Sequence, residues 1–333
     1  MLYQTENQHG GDVYGGGITL DFSANTNPLG TPPGVLEAVC RALPRLHRYP
    51  DPYCRRLVQA IASHEQVPAS YILCGNGAAD LIYTYCAALR PRTAVELAPT
   101  FVEYGAGLAQ VGCRVERYFL HQAQNFDLDE RFLSFLEEKK PEVVFLCNPN
   151  NPTGRLIPLP LLEQILQYCA AQGARLFLDE CFLNLTEDGV SAKSLLAAHP
   201  ELLILKAFTK SYGMAGIRLG YCLCADNALL RRMAAASPPW NVSSPAQSAG
   251  VAALAERDFL QRTLSLVRTE RRWLTDNLTA LGFWVCPSHA NYLLFRGPLG
   301  LREGLLQQGI AIRGCGNYNG LGDGWYRIAV RPH

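Results

Sequence analysis

Seven short apolar runs, spaced by segments with helical patterning, constrain the fold of this chain more than any other feature. They fall at 71–74, 93–97, 114–118, 143–147, 175–179, 202–207 and 220–224. Several are apolar throughout, as a strand must be when helices cover both faces of its sheet. The β/α alternation predicts an α/β fold built on a large, doubly wound sheet. An amphipathic helix is expected over about 34–45, ended by His47-Arg48-Tyr49-Pro50-Asp51-Pro52. Past the last run a long charged helix is expected over 258–281, then strands at 291–295, 310–313 and 326–330. These read as a smaller α+β domain. The expected division is an arm over 1–33 that joins the small domain, a large domain over 34–245 and a small one over 246–333.

Composition narrows the function classes. The net charge of +1 offers no surface for nucleic acid, and no basic DNA-binding segment precedes the α/β region. No stretch of about 18 apolar residues exists to cross a membrane, and the first residues lack the apolar core of a signal peptide, so a cytoplasmic location is expected. The twelve cysteines are scattered, and Cys222-x-Cys224 has no matching second pair. A structural zinc site needs four converging ligands, so no metal is expected and the cysteines read as reduced, mostly buried thiols.

Four segments carry chemistry. The first is Phe208-Thr209-Lys210-Ser211-Tyr212-Gly213, continuing to Gly216-Ile217-Arg218-Leu219-Gly220. A lone lysine in such a loop is most often a surface residue beside a turn. Here an arginine follows eight residues later. A lysine amine condenses with an aldehyde, and a guanidinium grips a phosphate dianion with two parallel hydrogen bonds. The second is Leu176-Phe177-Leu178-Asp179, where an aspartate ends a buried strand, the place at which open α/β sheets bind ligands. The third is Cys147-Asn148-Pro149-Asn150-Asn151-Pro152-Thr153-Gly154, a tight loop after another strand. The fourth is Gly75-Asn76-Gly77-Ala78-Ala79-Asp80, whose backbone N–H groups open a helix and suit a phosphate.

In this order the four segments resemble the fold-type I pyridoxal-phosphate (PLP) enzymes, the aspartate aminotransferase superfamily, over nearly the whole chain. The resemblance implies PLP as cofactor, with Lys210 as the Schiff-base lysine and Asp179 against the pyridine nitrogen. It implies Asn151 as donor to the ring hydroxyl, and Gly77, Ala78, Ala79 and Arg218 as the phosphate cup. Relatives often carry a hydroxyl three residues before the lysine; Ala207 stands there, and Thr209 is expected to compensate. Tyr104, in Pro99-Thr100-Phe101-Val102-Glu103-Tyr104, resembles the aromatic residue stacked on the ring. Tyr49 resembles a tyrosine that reaches the neighbouring subunit's cofactor phosphate, which implies a homodimer with shared sites.

Within the superfamily, His9-Gly10-Gly11, the stretch Asp21-Phe22-Ser23-Ala24-Asn25-Thr26-Asn27-Pro28-Leu29-Gly30, Phe182, Pro239-Trp240-Asn241-Val242 and Gly316-Asn317-Tyr318-Asn319-Gly320-Leu321 resemble the threonine-phosphate decarboxylases of cobalamin biosynthesis. The histidinol-phosphate aminotransferases are the alternative. Two departures stand out: the stretch between His9 and Asn25 is short, and no helix follows the last strand. The implied substrate is a small phosphorylated amino acid, O-phosphothreonine or a relative. Arg327 matches the carboxylate arginine, and Arg313, His9, Gly10, Asn25 and Asn151 complete the substrate set. Arg331 reads as a surface arginine at a strand end. In the decarboxylase reading Lys210 also returns a proton to Cα after CO2 leaves.

Overall fold

The computed structural model describes residues 9–333. Residues 1–8 of the expected arm lie outside the described residues. The seven apolar runs become the seven strands of one sheet, with ends shifted by at most one residue. Their order is Ile72–Gly75, Gly220–Cys224, Leu202–Ala207, Arg175–Asp179, Val143–Cys147, Thr93–Ala98 and Arg114–Phe119. Gly220–Cys224 runs antiparallel to both its neighbours, and the other pairings are parallel. Side chains alternate between two apolar layers. Val144, Leu146, Leu176, Leu178, Leu202 and Ile204 pack in one, Phe145, Phe177, Leu203 and Leu205 in the other. Burial on both faces is why these strands read as continuous apolar runs.

Two expected elements differ in detail. The helix expected over 34–45 is α-helical only over Pro33–Ala42 and tightens to a 3-10 turn at Leu43–Arg45. Pro44 has no N–H to donate, and its ring obstructs a further α-turn. The strand expected over 310–313 is split. Ile310–Ala311 pairs with the arm, while Arg313–Gly314 joins a four-stranded antiparallel sheet. The long helix spans Phe259–Ala280 and packs on that second sheet. Helix Ser244–Ala255 lies against Pro33–Ala42 and Arg55–Glu65, helices of the expected large domain, although its residues fall in the expected small one. Among the described residues, no helix is long and apolar enough to cross a membrane.

The arm is sewn to the body by backbone groups. Leu20–Asp21 lies parallel to Ile310–Ala311. Asn27 donates its side-chain amide to the carbonyl of Ser211 at 2.7 Å, and its backbone N–H to the carbonyl of Lys210 at 3.1 Å. Gly213, at φ +61°, lies so close to Gly30 that a Cβ would stand 2.4 Å from the Gly30 oxygen. Arg331 corrects the reading of it as a surface residue. Its half-buried guanidinium donates to the carbonyls of Asp21, Ala24 and Thr26 and to the Thr26 hydroxyl, at 2.9–3.4 Å. Arg331→Ala is therefore expected to lower unfolding free energy by about 2–3 kcal/mol, since several charge-assisted bonds are lost together. Urea titration checks the loss, and hydrogen exchange should localise it to residues 20–27.

Candidate active site

The parallel strands deliver Ala98, Cys147, Asp179 and Ala207 to one edge of the large sheet. A cavity of about 380 Å3 opens there, bounded by that edge, the arm and the second sheet. It brings together Lys210, Asp179, Asn151, Ala78, Ala79, Thr209 and Arg218 from the large sheet's loops. From the other side come His9, Gly10 and Asn25 of the arm, with Arg313 and Arg327. Gly77 stands behind the cavity wall, and Tyr49 and Tyr104 do not line it.

Lys210 sits in a short helix, Phe208–Ser211, that follows its strand without a break. Its Nζ lies 5.8 Å from the Phe182 ring centre. Burial, with Arg327 and Arg218 adding positive potential, lowers its pKa to about 8. An amine so lowered reaches its neutral, nucleophilic form near physiological pH.

Asp179 is buried, and burial raises its pKa even though protein donors serve both oxygens. The Cys181 backbone N–H donates to Oδ1 at 2.8 Å and the Tyr104 hydroxyl to Oδ2 at 2.6 Å. This corrects the expectation for Tyr104. It is fully buried beneath Asp179, among Phe145 and Phe177, and cannot stack on a ligand in the cavity. The ring of this segment that lines the cavity is Phe101, three residues earlier, and Phe182 and Tyr318 line it as well. Phe101 precedes the helix Glu103–Gln110 while Tyr104 lies within it, so the same-face rule for helical residues three apart does not apply to the two rings.

A phosphate-sized corner lies at the start of helix Ala78–Leu89. Gly77 is at φ +88°, a conformation that favours glycine, and a Cβ on it would stand 2.8 Å from Nη2 of Arg218, so the bare backbone leaves that guanidinium its place at the helix start. Arg218 is itself left-handed, at φ +58°. The first N–H groups of the helix and the adjacent cation suit a phosphate.

At the opposite wall Arg327 is buried and donates to Oδ1 of Asn151, to the Ser23 carbonyl at 3.0 Å and to the Tyr318 hydroxyl at 3.4 Å. Accepting through Oδ1 turns the amide so that its NH2 remains a donor. The Nε of Arg327 and the Oδ1 of Asn25 are buried with no hydrogen-bond partner among the described residues. Arg313 pairs directly across the sheet from Arg327 and donates to the Gly314 carbonyl and to Asn317 Oδ1. His9 lies 2.8 Å from Glu103, another residue of the wall. Tyr49 is 77% exposed and stacks on Trp240 at 4.4 Å between ring centres, outside this chain's cavity.

These groups fit PLP. An acid disfavoured by its own burial gains from a protonated ring nitrogen beside it. The glycine-and-arginine corner suits the phosphate, and the lowered lysine suits the aldehyde. Sequence reading missed Phe101, Glu103, Ser23 and Tyr318. All four stood inside quoted motifs. Ser23 contributes a backbone carbonyl to Arg327, which no side-chain pattern reveals.

Comparison with known proteins adds relatives to this geometry. The family described as "Aminotransferase class I and II" matches residues 18–333. A threonine-phosphate decarboxylase of Salmonella typhimurium is 41% identical over 318 residues, covering 94% of this chain and 86% of that protein. The solved histidinol-phosphate aminotransferase of Clostridium acetobutylicum superposes with a TM-score of 0.87 at 29% identity, covering 94% of each chain. The L-threonine-O-3-phosphate decarboxylase of Porphyromonas gingivalis gives 0.83 at 25% identity, also covering 94% of each.

Proposed function

This chain belongs to the aminotransferase class I and II family, and we propose that within it the protein is a PLP-dependent decarboxylase of O-phospho-L-threonine or a closely related phospho-amino acid. The products are CO2 and aminopropanol phosphate, the latter destined for cobalamin biosynthesis. The observation that carries the reading is the direct cross-strand pair of Arg313 and Arg327 on the cavity wall. Like charges set opposite each other in a sheet repel, so the pair is an expense unless two anions come to it. A phosphorylated amino acid brings both, a carboxylate and a phosphate. The Salmonella typhimurium relative supports the choice of lyase over transferase.

When bound, PLP draws electrons from the substrate's Cα, so that a bond there can break heterolytically. The residues decide which bond. Arg327 and Asn151 grip the carboxylate end. Arg313, His9, Gly10 and Asn25 take the phosphate. Together they would fix the orientation of the substituents on Cα. Asp179 would stand against the ring nitrogen and favour its protonated form, with Tyr104 and Cys181 fixing the carboxylate. Ala78, Ala79, Thr209 and Arg218 would hold the cofactor's phosphate. Lys210 would hold the cofactor before substrate arrives, and its amine, once free, would return a proton to Cα in place of the lost CO2. The reading also takes the protein to be a cytoplasmic homodimer in which the exposed Tyr49 reaches the partner's cofactor phosphate.

Incubating the holoenzyme with O-phospho-L-threonine should release one CO2 for each aminopropanol phosphate formed. Amino transfer to 2-oxoglutarate without CO2 would overturn the lyase in favour of the transferase alternative. Turnover of histidinol phosphate, which carries a single anionic group, would identify that alternative as the histidinol-phosphate aminotransferase.

A further inference from the structure

We propose that Glu103 is a positioning residue that latches the N-terminal arm onto the cavity wall through His9, and so selects phosphorylated over unphosphorylated amino acids. The inference rests on the phospho-amino-acid reading above for its substrate, and on geometry alone for the latch.

A carboxylate is an unexpected residue in a wall that must receive a substrate with two anionic groups, because at close range it repels both. Glu103 escapes this by having both oxygens engaged. Oε1 lies 2.8 Å from Nε2 of His9, and Oε2 accepts from the Tyr83 hydroxyl at 2.6 Å. Tyr83 comes from helix Ala78–Leu89, whose first residues line the same cavity, so the chain of contacts runs from a rigid helix through Glu103 to the arm. Glu103 itself opens helix Glu103–Gln110, where the helix dipole favours a negative charge. The bond to His9, followed by that to Tyr83, holds its carboxyl below the usual range against the opposing effect of burial.

The rest of the arm is shaped for the latched position. A Cβ on Gly10 would stand 2.2 Å from the Ser23 carbonyl oxygen, so the chain after His9 lies flat on the segment that also supplies the carbonyl bound by Arg327. The Gly11 N–H donates to the Ser23 hydroxyl at 2.8 Å. The His9 ring faces Phe101 at 5.9 Å between ring centres. Glu103 thus joins the arm, the cofactor-facing aromatic ring and the wall at one point. Its loss should weaken the grip on a phosphate held by the arm and leave the grip of Arg327 on a carboxylate intact.

The test compares wild-type holoenzyme with Glu103→Ala, Glu103→Gln and Tyr83→Phe. Glu103→Ala should raise KM for O-phospho-L-threonine about tenfold, as expected for a lost charge-assisted hydrogen bond, with kcat within about threefold. Glu103→Gln keeps the acceptor oxygen and loses the charge, so its rise should be about half as large on a logarithmic scale. Tyr83→Phe should move KM in the same direction by less. The Kd of L-threonine, followed through the bound cofactor's visible absorbance, should not change. In the absence of any substrate, amide hydrogen exchange at residues 9–23 should quicken in Glu103→Ala. An unchanged KM in a well-folded Glu103→Gln, or equal weakening of threonine and phosphothreonine, overturns the proposal. Unchanged arm exchange overturns the latch whatever the substrate proves to be. Absence of CO2 release by wild type strikes instead at the decarboxylase reading.

Discussion

Replacing Lys210 with methionine is expected to abolish CO2 release while making the cofactor-free protein more stable at neutral pH. The loss of activity should be at least about 10⁴-fold, because on the proposed reading one side chain serves as cofactor attachment and as proton donor to Cα. The gain in stability follows from the direction of the pKa shift. Burial lowers Lys210 from its ordinary 10.5 to about 8. Between these values the unfolded chain binds more protons than the folded one, so this group makes stability rise with pH across the window. Below about pH 8 both states are protonated and the folded protein bears the full cost of an ammonium ion held away from water. Methionine has similar length and no charge to desolvate. The variant should exceed the wild-type apoprotein by about 1–3 kcal/mol at pH 7, with the difference shrinking as pH rises toward 10.5. Urea titrations of the two apoproteins at pH 7 and pH 10 measure it. Equal stability at pH 7 would mean that the amine is well solvated and that burial is not what tunes it.

The sheet was legible because its central strands are buried on both faces, which leaves an apolar signature in the sequence. The four loops that meet at the cavity were legible for a related reason. Each follows directly on such a strand, so the position of Asp179, Asn151 or Lys210 is fixed by where an apolar run stops. Residues that depend on distant segments were harder to read. Lys206 lies within an apolar strand, yet it is buried between Glu65 at 3.4 Å and Glu180 at 3.5 Å. Nothing within the strand announces that a helix end and a neighbouring strand's loop supply the partners. Arg331 looked like a surface charge because its acceptors are backbone carbonyls of the arm, which have no side-chain signature. The exchange of roles between Phe101 and Tyr104 has another cause. Both are aromatic, lie three residues apart and flank a helix start, so the direction of each ring depends on where that helix begins.

Asp179→Asn is expected to fold, to bind PLP more weakly and to lose on the order of 10²- to 10³-fold in turnover, the scale seen when one preorganised electrostatic partner of a developing charge is removed. Asparagine preserves the shape. Its oxygen can accept from the Cys181 N–H, as Oδ1 does now at 2.8 Å. The Tyr104 hydroxyl, which now donates to Oδ2 at 2.6 Å, can rotate to accept from the new NH2 group. What disappears, on the proposed reading, is the negative charge beside the cofactor's ring nitrogen, and with it the reason for that nitrogen to stay protonated. The same substitution should favour the apoprotein. Burial raises the pKa of Asp179, so the ionised carboxylate is the form the folded apoprotein resists. An acid whose folded pKa is raised loses stability as pH climbs through its unfolded value, near 3.9, toward the folded one. That loss persists at neutral pH, and the neutral amide avoids it. Asp179→Asn apoprotein should therefore unfold at higher urea than wild type at pH 7, and the order should narrow as pH falls below 4. With PLP added, the ranking should reverse, because wild type gains more from the cofactor than the variant does. Parallel urea titrations with and without PLP measure both halves. If wild type and variant gained equally from PLP, Asp179 would not be the partner of the ring nitrogen, and the carboxylate under the cavity would be no more than a cap on the turn at Cys181.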